Sequence, residues 1–264
     1  MLEEQPLLMV SYSGGKDSMA LLHAIHTAYG KTHTIKVVYA DTGWEYKDDS
    51  AGRWVNTPQW IANNIAPYGY QLEIVRNPKT TLLQRIRERG MFPSPKARFC
   101  TSDFKTRQLE KWVRRQPYHT IICLDGRRAA ESTERSKLPL WERHPTLSVD
   151  RSPFTKQPRT VYTWLPIFDW PTADVFAYCQ QHRLELPYQY NFLSRYSCRL
   201  CIYNTAEEIA NIRRHDPETF AIMRALEIEI DFTMKSGKSL DEIADAWETR
   251  QEKLQTTPHQ LCLL

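Results

Sequence analysis

Apolar residues in this chain come in short blocks separated by polar stretches with a helical rhythm. Leu7–Ser11 (LLMVS) is a compact apolar run that reads as a buried strand. From Asp17 to Tyr29, Met19, Leu21, Leu22 and Ile25 alternate with small residues, and the pattern reads as a helix. Thr34 to Tyr39 (TIKVVY) is rich in β-branched residues and reads as a second strand. Pro58 to Ile65 reads as a helix, Gln71 to Val75 as a third strand and Thr81 to Arg89 as a helix. Ser102 to Arg115 follows as an amphipathic helix, and His119 to Leu124 (HTIICL) as a fourth strand. Strands alternating with helices predict an α/β fold around a parallel sheet.

From Arg127 to Pro158 the texture changes. Charge is dense and prolines stand at 139, 145, 153 and 158, a composition that predicts a long functional loop. Val161 to Pro166 returns to strand character, and Thr172 to His182 reads as a helix with Thr172 as its N-cap. Ala206 to Leu254 is charged and helical in pattern, punctuated by Pro217 and Gly237. The expected division is an α/β domain over residues 1–204 with a helical extension, residues 205–264, packed on it.

At 264 residues and 41% hydrophobic composition, the chain is long enough for one large domain with an appendage. No apolar run approaches the roughly 18 residues of a membrane-spanning helix. The N-terminus, MLEEQPLLMV, lacks a signal peptide's basic start and long apolar core, so the expected compartment is the cytoplasm, with no membrane partner. A net charge of +4 permits an anionic ligand without demonstrating nucleic-acid binding. The six cysteines are not expected to form a disulfide framework in that compartment. Cys123 in a strand and Cys179 on a helix face read as buried apolar fillers.

The chemistry concentrates in LMVSYSGGKDSMALL (Leu8 to Leu22), where a strand gives way to a glycine-rich turn and then a helix. Glycines let the backbone approach an anion closely, and a helix N-terminus offers unpaired N–H groups and the positive end of its dipole. Lys16 adds a point charge, and Ser13 and Ser18 add hydroxyl donors. The stretch has neither the GxxxxGK[ST] spacing of the common P-loop nor a GxGxxG fingerprint.

SGGKDS resembles the SGGxDS signature of the PP-loop ATP pyrophosphatases, which cleave ATP between its α- and β-phosphates. The resemblance implies an open, mostly parallel twisted sheet with helices on both faces. Further segments resemble the phosphoadenylylsulfate (PAPS) reductase branch: YADTGWEY (Tyr39 to Tyr46), RFCTSDFKTRQLEKW (Arg98 to Trp112), LDGRRAAESTER (Leu124 to Arg135) and LPIFDWPTADVFAYC (Leu165 to Cys179). By that resemblance Ser11, Ser13, Gly14, Gly15, Lys16, Asp17, Ser18, Asp41, Thr42, Gly126 and Glu131 bind the nucleotide with Mg²⁺ across its phosphates. Lys16, Asp17, Arg127, Arg128 and Arg135 act in catalysis, the arginines gripping phosphates or a sulfur donor's anion, with Glu131 holding one of them. On the residues alone, Asp41 reads as a turn or cap residue. Trp170 and Val175 are expected to pack.

LPYQYNFLSRYSCRLCIYN (Leu186 to Asn204) resembles the CxxC end of that family. Cys100, Cys198 and Cys201 make a three-thiolate set that the resemblance assigns to a [4Fe–4S] cluster, with zinc and unligated thiols as the alternatives. The cluster-bearing reductases have adjacent cysteines at the earlier position, whereas residue 99 is Phe here. Classical PAPS reductases also act through a C-terminal Glu-Cys-Gly-x-His motif. This chain ends TTPHQLCLL, so Cys262 lacks those supporting residues. Within the superfamily the chain most resembles the DNA phosphorothioation proteins of the Dnd and Ssp systems, of the compact SspD type. That resemblance implies ATP-driven activation of an acceptor, DNA and other phosphorothioation proteins as partners, and a cysteine desulfurase as sulfur donor; a homo-oligomer is compatible with it. A sulfonucleotide reductase and a tRNA thiolation enzyme are the alternative activities. A degenerate, non-catalytic scaffold is opposed by the intact Ser13, Gly14, Gly15, Asp17 and Ser18.

Overall fold

A computed structural model describes residues 5–151 and 158–256. β1 (Leu7–Ser11), β2 (Ile35–Asp41), β3 (Leu72–Arg76), β4 (Thr120–Leu124), β5 (Trp141–Arg143) and β6 (Thr160–Trp164) form one six-stranded sheet in the order β3-β2-β1-β4-β6-β5. Every pairing is parallel except that of β5 with β6. β1 lies at the centre and is buried on both faces, which is why it reads as an unbroken apolar run rather than an alternation. Along it, Leu8 and Val10 face one core with Leu21, Leu22, Ile25, Ile61 and Ile65. Leu7 and Met9 face the other with Trp112, Val113 and Val161.

The first core is roofed by α1 (Lys16–Tyr29) and α2 (Thr57–Ile65), the second by α5 (Arg107–Arg114). α3 is Leu82–Arg89 and α4 is the short turn Phe99–Thr101. α6 (Thr172–Gln181) packs on α1 through Ala20, Val175 and Cys179. The edge strands are the weak ones: β3 carries Glu73 and Arg76, and β5 has three exposed residues, a composition that discourages pairing with another chain.

The described residues fall into two compact units. One holds the chain up to Lys79 together with Cys100–Tyr188; the other holds Thr80–Phe99 and the chain from Gln189 onward. The second unit is helical, with α7 (Ala206–His215), α8 (Pro217–Ile230) and α9 (Leu240–Thr256). It begins before residue 205 and takes in α3. No helix among the described residues is long and apolar enough to cross a membrane.

Three local departures from the sequence reading have physical causes. The expected loop after β4 contains β5, whose Trp141 lies against Tyr162 and Trp164 of β6. Three charged or exposed residues on an edge strand leave no alternation to read. The helix expected from Ser102 begins as a π-turn (Ser102–Thr106), with Gln108 Nε2 donating to the Asp103 carbonyl at 2.7 Å. Finally, Pro171 occupies the N-cap of α6 without a side-chain bond, because the Thr172 hydroxyl serves Arg128 instead.

Candidate nucleotide site

The strand order reverses at β1. The chain steps outward from β1 through β2 to β3, then resumes on the opposite side with β4. In an open parallel sheet the crevice beyond the strand C-termini at such a point is the customary ligand site. Three loops meet that description: Tyr12–Gly15 after β1, Thr42–Glu45 after β2 and Asp125–Arg128 after β4.

The first loop is shaped by its glycines. Gly14 sits at φ +79°, and a Cβ there would lie 3.0 Å from Ile61 Cγ1 and from Trp60 Cδ1. Trp60 Nε1 fixes the turn by donating to the Gly14 carbonyl at 3.0 Å. Gly15 is the N-cap of α1 and brings no side chain to cap the helix, whose positive dipole end faces the loop. Ser18 Oγ donates to the Gly15 carbonyl at 2.9 Å and lies 3.4 Å from Ser13 Oγ. Tyr12, buried beneath the loop, has its phenol pushed well above its ordinary value by burial.

Asp17 organises the charges. Its Oδ2 receives Lys16 Nζ at 2.9 Å, and its Oδ1 receives Arg128 Nε at 2.6 Å. Arg128 is only 2% exposed. Its Nη1 also donates to the Trp170 carbonyl at 2.9 Å, and both terminal nitrogens reach Thr172 Oγ1 at 3.3 Å. A guanidinium in that position ties the loop after β4 to the first turn of α1 and to the start of α6. Gly126 permits the approach, since a Cβ there would lie 3.3 Å from the Asp17 backbone.

The three arginines of this segment differ in their surroundings. Arg128 is buried among Asp17, Trp170 and Thr172. Arg127 is partly exposed and donates Nε to Asp125 at 2.9 Å. Arg135 pairs with Glu131, whose carboxylate also receives the Arg128 backbone N–H at 2.9 Å. In the loop after β2, Asp41 Oδ1 accepts from Gly43 N at 2.7 Å in an Asx turn that needs Gly43's φ of +75°. Arg76 lies 3.4 Å from its other oxygen. Thr42 is buried and bonded twice to Glu45 Oε1, at 2.8 and 3.0 Å. Ser11 closes β1 and is half-buried. The partners Trp60, Trp170, Thr172, Glu45 and Asp125 went unnamed as site residues in the sequence reading. The only signal for two of them was the DWPT stretch, which reads as packing.

The cysteines sort differently. Cys179 is buried, and burial lifts its thiol to about 11; Cys123 is lifted to about 12 for the same reason. Cys100 belongs to the first compact unit, and Cys198 and Cys201 to the second. Among the described residues no three His, Cys, Asp or Glu side chains make a metal-holding group. The expected three-thiolate set thus draws on both units. The CxxC loop is held by protein groups. Cys201 N donates to Asn204 Oδ1 at 2.6 Å, and Lys235 Nζ donates to the Ile202 and Asn204 carbonyls. Buried Arg199 reaches Asp216 at 3.3 Å. Cys262 lies outside the described residues.

The sequence model of the phosphoadenosine phosphosulfate reductase domain matches residues 7–193, from the first strand of the sheet to just before the CxxC. The chain belongs to that domain family. It is 26% identical over 277 residues to an uncharacterized 37.8 kDa protein of Escherichia phage 186, covering 89% of this chain and 79% of that protein. It is also 26% identical over 214 residues to an uncharacterized protein of Methanocaldococcus jannaschii, covering 80% of this chain but 39% of that protein. Among solved structures, a PAPS reductase from Candida auris in a phosphate complex aligns with a TM-score of 0.47 at 16% identity, over 70% of this chain and 77% of that one. In the terms of the family, the SGGKDS loop, Asp41 and the Asp125–Arg128 segment all fall within the matched span.

Proposed function

We propose that this protein cleaves ATP to AMP and pyrophosphate, placing the adenylyl group on an acceptor oxygen of DNA so that sulfur can be incorporated. The observation that carries the reading is the Lys16–Asp17–Arg128 arrangement at the uncapped start of α1. It concentrates positive charge, held in place before any ligand arrives, at a helix start that no side chain caps. That is the requirement for stabilising charge on a transferring phosphoryl group.

In this reading the Gly14–Ser18 backbone and the Ser13 and Ser18 hydroxyls hold the phosphates. The acceptor oxygen attacks the α-phosphorus. The bond from that phosphorus to the α–β bridging oxygen breaks, and pyrophosphate leaves with the electron pair. A hydrosulfide-level sulfur nucleophile then attacks the activated acceptor phosphorus, the bond from that phosphorus to the AMP oxygen breaks, and AMP leaves with the electron pair. Lys16 and Arg127 face the departing negative charge, while Arg128 keeps Asp17 and the helix start in register. Both Asp17 oxygens are engaged by cations, so a Mg²⁺ would be held by the nucleotide's phosphates rather than by Asp17, and would supply Lewis-acid polarisation there. DNA as acceptor, a cysteine desulfurase as sulfur donor and other phosphorothioation proteins as partners rest on the likeness of the GxRxxES and CxxC segments to the Dnd and Ssp proteins.

A second reading, reduction of a sulfonucleotide, is favoured by the family match across residues 7–193. The two are separated by measuring pyrophosphate from ATP with single-stranded DNA present and sulfite from PAPS with thioredoxin, side by side. Pyrophosphate without sulfite supports the proposal; sulfite without pyrophosphate overturns it and makes Cys262 the next residue to substitute.

A further inference from the structure

The second compact unit contains a cavity of about 520 Å³, lined by Asn204, Ile209, Lys235, Lys238, Trp247 and Arg250 among others. Its size falls in the roughly 300–1,000 Å³ range of ligand sites. Its charge is one-sided. Every charged residue on its wall is a cation; Glu208 and Glu242 interact with Lys235 and Lys238 from outside the lining. Apart from Asn204 and Thr205 the remainder is apolar, with Ile209, Ile243, Ala246 and the half-buried Trp247. Lys238 and Arg250 are exposed, so their charges are presented on the rim, while Lys235 is anchored on the Ile202 and Asn204 carbonyls. Asn204 also receives the Cys201 N–H, so the cavity borders the CxxC loop.

A ligand that suits this wall has a flat apolar ring and a phosphate. We propose that the cavity takes one nucleotide of a single DNA strand, its base against Trp247 and its phosphodiester between Lys238 and Arg250. Every base has a π-face for an indole to stack on, whatever the sequence, and the cations pay the electrostatic part. The inference rests on DNA being the acceptor and would seat that acceptor beside Cys201.

The test is fluorescence anisotropy of a labelled oligothymidylate with the full chain across a salt series. Lys238→Ala and Arg250→Ala should each lower the slope of log affinity against log salt by about 0.7. Trp247→Ala should weaken binding about tenfold or more with the slope unchanged. The two cation variants replace exposed side chains, so they keep the test valid if Trp247→Ala misfolds. Binding of ATP itself, read with a fluorescent ATP analogue, should be unaltered in all three. Parent-like affinity and slope in the cation variants would overturn the proposal, as would displacement of the oligonucleotide by AMP. A parent that binds the ATP analogue but no oligonucleotide also overturns it while leaving the nucleotide site intact; a parent that binds neither fails at the earlier step.

Discussion

Arg128 is the residue on which the site turns. A guanidinium 2% exposed, bonded to Asp17, a carbonyl and a hydroxyl, cannot be removed without stranding all three. Arg128→Ala should cost about 3–5 kcal/mol in denaturant unfolding. Arg128→Lys keeps the charge but loses the fork, so it should retain the fold better than alanine while pyrophosphate release falls sharply. Gly126→Ala is the gentler probe. Its Cβ would press on the Asp17 backbone at 3.3 Å, and a displaced helix start should slow turnover about tenfold or more with little change in melting temperature. Equal turnover in the Gly126 variant would mean that Asp17 needs no fixed position.

At the scale of elements, the CxxC loop and α7 share one carboxylate. Glu208 accepts from Ser194 N and Oγ, Thr205 N and Asn204 Nδ2. Burial alone would raise its pKa, but these four bonds to the charged form outweigh it and hold the group below its ordinary 4.5. A depressed folded pKa means that the contribution to stability is present above 4.5 and is lost as pH falls through the folded value. Glu208→Gln should therefore cost about 1–3 kcal/mol at neutral pH, with the gap from the parent closing in unfolding experiments below pH 4.5. A constant gap across that range would show that its charge is not what the loop uses. The elements themselves were largely legible, because β1, β2 and β4 carry their apolar runs openly and SGGKDS sits between a strand and a helix. β5 was not, since its pairing depends on β6 rather than on its own pattern. Nor was the depth of Arg128: an arginine in a basic stretch reads as surface, and only the fold brings Asp17, 111 residues earlier, to its side.

For the whole molecule, the helical unit is not a tail. Thr80–Phe99 belongs to it although the sheet's own chain lies on both sides, and Arg87 of α3 pairs with Glu229 of α8 at 2.8 Å. The sequence could not reveal this, because no local signal links α3 to a segment more than a hundred residues later. A chain ending at Tyr188 leaves α3, with buried Leu82 and Ile86, without its partners. It should melt at least several degrees below the parent and bind more of an apolar dye; a parent-like melting curve would show that the sheet unit tolerates that loss. The account as a whole stands on which bond of ATP is broken at the SGGKDS loop. The direct measurement is the phosphorus-NMR spectrum of ATP incubated with the protein and single-stranded DNA, for the parent and for Asp17→Ala. AMP and pyrophosphate in equal amounts from the parent, and neither from the variant, is the result expected. ADP with phosphate from the parent, or the same products from both proteins, would contradict it.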